Sequence, residues 1–120
     1  MSVTVRDVLS LEVMKPAKLL AGKDGLGRKV RWVHVSDVPE PTRWLVGEEF
    51  ILTNAVCISH EEALQEKFIY ELESINAAGV AISCGGPFLK HVTEGMKRIA
   101  NSFSLPLIEL PWELRFVDIY

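Results

Sequence analysis

Residues 61–83 read EEALQEKFIYELESINAAGVAIS, and the class of the fold turns on them. Ser59 with Glu62 three positions on is a capping box, and it opens a helix over Glu61–Ala78. Leu64, Phe68, Leu72 and Ile75 recur at helical spacing and make one apolar stripe. Glu61, Glu62, Glu66, Lys67, Glu71 and Glu73 fall mostly elsewhere, so the outer face is a solvated, glutamate-rich one. Gly79 stands where a C′ glycine ends a helix. Val80-Ala81-Ile82-Ser83 follows at once as a short buried strand.

The pattern extends in both directions. Upstream, Glu48–Asn54 reads as a strand through Phe50-Ile51-Leu52. Downstream, Gly85-Gly86-Pro87 turns the chain into a helix over Val92–Ser102, with Val92, Met96, Ile99 and Phe103 on its inner side. Leu105–Leu110 is a last strand, stopped by Pro111. Strand, helix, strand, helix, strand implies parallel strands joined by right-handed crossovers, hence an α/β domain with a mostly parallel sheet flanked by helices. Nearer the start, Thr4 and Asp7 cap a short helix through Leu9, Pro16 breaks the pattern, and Lys18–Ala21 is a short strand. The glycines of Gly22–Gly27 make a tight turn. Lys29–Ser36 is a strand that alternates Val30, Trp32, His34 and Ser36 with Arg31, Val33, Val35 and Asp37. Pro39 and Pro41 end it, and Thr42–Val46 forms one helical turn closed by Gly47.

A chain of 120 residues has room for one domain, 1–120. Hydrophobic residues at 48% and charged ones at 24% exclude disorder. The formal net charge of -3 argues against direct contact with nucleic acid, because a surface that neutralises phosphates carries a basic excess. Two cysteines, no signal-like start and no apolar run near the ~20 residues that span a bilayer point to the cytoplasm and away from a membrane.

Leu20-Ala21-Gly22, the segment from Val30 to Asp37, and Trp44-Leu45-Val46-Gly47-Glu48-Glu49-Phe50-Ile51-Leu52-Thr53 stand in the order seen in PucR N-terminal domains. Ala77-Ala78-Gly79-Val80-Ala81 and Leu105-Pro106-Leu107-Ile108-Glu109-Leu110-Pro111 complete a pattern that resembles that family from about Val5 to Ile119. The resemblance implies a bacterial transcription regulator whose first domain responds to a small molecule, often linked to purine breakdown. It also implies a helix-turn-helix module far downstream, and a chain ending at Tyr120 would then be a sensor domain without it. Ser36-Asp37, the Gly47-acidic turn and Phe50-Ile51-Leu52 are also similar to the small N-terminal domain of the Mur ligases, although the Ser-Arg pair typical there is missing.

Trp32, His34 and Ser36 share one face of their strand, giving an aromatic platform with two hydrogen-bonding side chains in line. Thr53 and Asn54, at the end of the next strand, add a hydroxyl and an amide. These five are the candidate contacts of a small polar effector; the alternative is that Trp32 packs under the first helix and His34 is a satisfied, half-buried residue. Gly85 and Gly86 are a candidate anion site ahead of a helix, though Pro87 removes one donor. Cys57 and His60 have Cys-x2-His spacing, but Cys84 follows a buried strand and its pair with His91 has no finger-like spacing, so neither a metal nor another cofactor is expected. Ser83-Cys84-Gly85-Gly86 lacks the first glycine of a nucleophile elbow, and no acid is placed to orient a base, so no enzyme is expected. The expected partners are the effector, the downstream domains and, through an exposed helix, a second protomer.

Overall fold

The computed structural model describes residues 3–35, 47–54, 62–86 and 89–113. Its first helix, α1 (Val5–Leu9), is opened by the expected reciprocal cap. The Thr4 amide donates to the Asp7 carboxylate at 2.8 Å and the Asp7 amide donates to the Thr4 hydroxyl at 3.4 Å. One 3₁₀ turn (Glu12–Met14) leads to β1 (Lys18–Ala21). After the Gly22–Gly27 turn come β2 (Trp32–Val35) and β3 (Glu49–Thr53). α2 (Glu62–Ser74), β4 (Gly79–Cys84), α3 (Glu94–Phe103) and β5 (Leu107–Pro111) complete the chain.

The sheet order is β1-β5-β4-β3-β2; β2 to β5 are parallel, and β1 pairs antiparallel with β5. The fold is therefore α/β with a mostly parallel sheet, as the strand–helix alternation predicts. Strands β3 and β4 are buried along their whole length, which explains why Phe50-Ile51-Leu52 and Val80-Ala81-Ile82 read as continuous apolar runs. Phe68, Ile69 and Leu72 of α2 and Met96, Ile99 and Ala100 of α3 pack on one face of the sheet, with Ile51, Val80, Ile82 and Leu107 beneath them. Val5, Val8 and Met14 cover the other face over Phe50, Leu52, Ala81, Ile108 and Leu110. Each parallel step moves one strand in the same direction, so no strand reversal opens a crevice in the middle of the sheet.

Two helix boundaries differ from the sequence reading. α2 stops at Ser74, short of Ala78, because Asn76 takes the left-handed conformation at φ 60°. The Ala77 amide then donates to Leu72 O (3.1 Å) and the Asn76 amide to Glu73 O (3.0 Å), the two bonds of a Schellman motif. Asn76 is thus the C′ residue, and Gly79 begins β4 with Pro106 and Phe50 within 3.4 Å of where a Cβ would sit. α3 begins at Glu94, capped by the Thr93 hydroxyl, instead of at Val92. Ser59 and Glu61, read as the start of α2, and the Thr42–Val46 turn lie outside the described residues.

Candidate functional site

β2 is an edge strand, and its register sets what each side chain can reach. Trp32 lies opposite Glu49, Val33 opposite Phe50, His34 opposite Ile51 and Val35 opposite Leu52. Val33 packs against the Phe50–Leu52 cluster, so alternation turns Trp32 and His34 to the α2 side. The indole of Trp32 is 50% exposed, with the Arg31 guanidinium carbon 5.3 Å from the ring centroid, and His34 beside it is half-buried. Ser36, like Trp44, lies outside the described residues. Thr53 is buried at the carboxyl end of β3 and Asn54, which follows it, is half-buried. Thr53 lies four residue steps along β3 from Glu49, the partner of Trp32, about 13 Å along the strand. The structure therefore brings Trp32, Arg31 and His34 together at the start of the strip and sets Thr53 and Asn54 at its far end.

The carboxyl edge of β4 holds the other candidates. The Cys84 thiol is buried and hydrogen-bonded to the Glu109 carboxylate. Burial first, then the charge of Glu109 and that hydrogen bond, push the thiol from 9.0 up to about 12. At pH 7 only about one Cys84 in 10⁵ is then thiolate, so it is not an activated nucleophile. Gly85, at φ 93°, donates its amide to Leu89 O at 2.9 Å. Gly86 is covered by Trp112, whose ring carbons lie 2.1 Å from where a Cβ would stand. With α3 starting only at Glu94, these glycines do not sit at a helix N-terminus, and the Gly85 amide is already committed. Cations reach this edge as side chains: a cavity of about 200 Å³ is lined by Lys18, Lys90, His91 and Glu109 beside Cys84 and Gly85. Cys57 and His60 lie outside the described residues, and no group of three metal-ligating side chains gathers among the described ones.

The raised Cys84 value fixes a pH effect. The folded chain holds this proton to higher pH than the unfolded chain does, so the associated stability is intact below pH 9 and is lost as pH climbs towards 12. Urea melts across that range should show wild type losing more stability than Cys84→Ala, with parallel curves below it. Parallel curves throughout would refute the assignment.

At the amino edge two recognisable motifs meet. Gly47 (φ 118°) and Glu48 (φ 61°) form a turn in which the Gly47 amide donates to Glu49 Oε1 at 2.6 Å. The Glu48 amide donates to Asn76 O and the Ala78 amide to Glu49 O, tying this turn to the exit of α2. A cavity of about 350 Å³ opens there between Arg28, Lys29, Glu48, Asn76, Ala77 and Ala78. Arg28 was missed by the sequence reading. Its guanidinium donates to Ala77 O (2.9 Å), Glu73 Oε1 (2.9 Å) and Phe103 O (2.8 Å), partners 45 to 75 residues away that no local pattern reveals. Asn76 had a local signal, an Asn just beyond the last turn of the apolar stripe.

Neither cavity is lined by Trp32, His34, Thr53 or Asn54. No helix among the described residues is long and apolar enough to cross a membrane. Residues 7–120 match the model of the purine catabolism regulatory protein-like family. The chain is 35% identical over 79 residues to the transcriptional activator PmfR of Paenarthrobacter nicotinovorans, a match covering 66% of this chain and 17% of that protein. It is 28% identical over 115 residues to the purine catabolism regulatory protein of Bacillus subtilis (strain 168), covering 96% of this chain and 22% of that protein. The matches thus span about a fifth of the length of these curated relatives. Both relatives carry the names of regulators, and the family match runs through every strand of the sheet: the chain belongs to the purine catabolism regulatory protein-like family.

Proposed function

We propose that this domain senses a small polar metabolite and signals to a DNA-binding module elsewhere in the regulator. The observation that carries the reading is the Trp32 indole, half exposed on an edge strand with a guanidinium over its face and an imidazole beside it. An aromatic plane flanked by a cation and a hydrogen-bonding ring suits a planar, polar heterocycle. Trp32 and His34, with Ser36 next on the alternation, are the first contacts; Thr53 and Asn54 serve the far end of an elongated ligand. A purine-related effector is favoured by the name of the Bacillus subtilis relative. Binding that prefers one arrangement of the domain biases the downstream module by that difference in affinity.

A thermal-shift panel of nucleobases, urate and allantoin tests this. A ligand at one hundred times its Kd adds about 2.7 kcal/mol, a rise of roughly 10 °C for a domain of this size. Trp32→Ala and His34→Ala should each weaken the hit by about tenfold, since each removes a contact on the order of 1.4 kcal/mol. A hit indifferent to both substitutions would refute the placement.

Self-association is the second reading, and one observation favours it. Trp32 and Val35, on opposite faces of the edge strand, are 50% and 38% exposed. A flat ligand panel, with a concentration-dependent mass that Trp32→Ala abolishes, would decide for it.

A further inference from the structure

We propose that the carboxyl-edge cavity between β1, β4 and β5 binds a small carboxylic acid that also carries an N–H or O–H donor, at a site separate from the Trp32–His34 strip. Lys18 comes from β1, Lys90 and His91 from the segment after β4, and Glu109 from β5, so three stretches of chain deliver charge to one cavity. The ion pairs among the described residues are Arg28–Glu73, Lys67–Glu71 and Glu94–Lys97, and none of them uses Lys18, Lys90 or His91. Lys18 and Glu109 are register partners across β1 and β5, yet their charged ends do not pair. Two lysines and a histidine therefore line one space together with a single glutamate, in a chain whose net charge is -3.

That arrangement selects its occupant. The basic groups attract an anion, while Glu109, already accepting the Cys84 thiol, offers its remaining lone pairs to a donor on the same molecule. A phosphate dianion brings a second negative charge against Glu109, so the site favours a singly charged carboxylate. A volume of about 200 Å³ lies below the roughly 300–1,000 Å³ of pockets for drug-sized ligands, so a nucleotide does not fit. Three strand spacings, about 14 Å, separate β5 from β2, so an acid seated here does not touch Trp32 or His34.

The test is an amide-resonance titration of the 120-residue chain with four probes: N-acetylglycine, its neutral amide, acetate and inorganic phosphate. N-acetylglycine should shift the amides of Cys84, Gly85 and Glu109, the neutral amide should not, and phosphate should bind more weakly. Lys18→Ala with Lys90→Ala should weaken N-acetylglycine by at least about tenfold, and Glu109→Gln should narrow its advantage over acetate. Both lysines are exposed, and a melt checks that the variant folds; Lys90→Glu alone gives the same readout if the pair does not. Trp32→Ala should leave this titration unchanged, whatever the metabolite panel shows. Absent shifts at these amides, phosphate binding as tightly as the acid, or affinity indifferent to the lysine substitutions would each overturn the proposal.

Discussion

Gly25→Ala should lower the melting temperature by more than about 10 °C, while Gly27→Ala two positions on should leave it nearly unchanged. A Cβ on Gly25 would stand 1.8 Å from Ser104 O and 3.0 Å from Pro106 Cδ. The first obstacle is backbone, so no rotamer change relieves it. Gly22 and Gly25 both lie against the exit of α3. Gly22 donates its amide to Asn101 Oδ1 at 2.8 Å, and a Cβ there would meet Leu105 O at 2.0 Å. Admitting a methyl group at Gly25 means lifting the turn off this surface, which strains the Gly25–Gly22 and Arg28–Gly25 backbone bonds (2.9 and 3.0 Å) and the Asn101 contact. We expect about 3–5 kcal/mol, a large share of the 5–15 kcal/mol that a domain has. Gly27 has nothing within 4 Å of its Cβ position and no positive φ, so alanine there removes only unfolded-state freedom. Circular-dichroism melts of the two variants decide the matter: a Gly25→Ala midpoint within about 2 °C of wild type would mean the turn is not seated as described.

What the sequence made legible was local. The Thr4–Asp7 cap, the bounds of β1 and the α/β alternation follow from neighbours a few positions apart, and the structure bears them out. The exit of α2 was less legible because glycine does not mark it, whereas α3, read to Ser102, ends one residue on at Phe103. Asn76 and Ser104 are left-handed at φ 60° and 54°, and in each case Schellman bonds offset a cost of roughly 1–2 kcal/mol. β2 is shorter than its alternation because Lys29 bridges Thr4 and the Val30 amide donates to Val3 O, so those residues belong to the N-terminal segment. The shared face of Trp32 and His34 is a period-two consequence and could be read directly. The meeting of Lys18, Lys90 and His91 could not, since it depends on β1 inserting beside β5.

Arg28→Ala should destabilise the domain by about 2–3 kcal/mol, and Arg28→Lys should recover little of it. One guanidinium donates to Ala77 O and Glu73 Oε1 at the exit of α2 and to Phe103 O at the exit of α3. It thereby pins the segment leading into β2 to the ends of both helices, where carbonyls and helix dipoles favour positive charge. A lysine ammonium has no planar fork and cannot hold three acceptors set in these directions. The ion pair itself is the smaller part: side-chain exposures of 22% and 24% leave it screened by water, and such pairs contribute about 0.5–1 kcal/mol. A double-mutant cycle with Glu73→Gln separates the contributions. Most of the Arg28→Ala loss should persist in the Glu73→Gln background and at high salt, because a main-chain acceptor neither titrates nor is neutralised by the substitution. If the loss vanished in that background, the carbonyl bonds would carry none of the stability, and Arg28 would be a surface ion pair and nothing more. If it persists, the same clamp fixes where Arg31 and Trp32 emerge, so Arg28→Ala should also weaken any effector that depends on Trp32 without touching it.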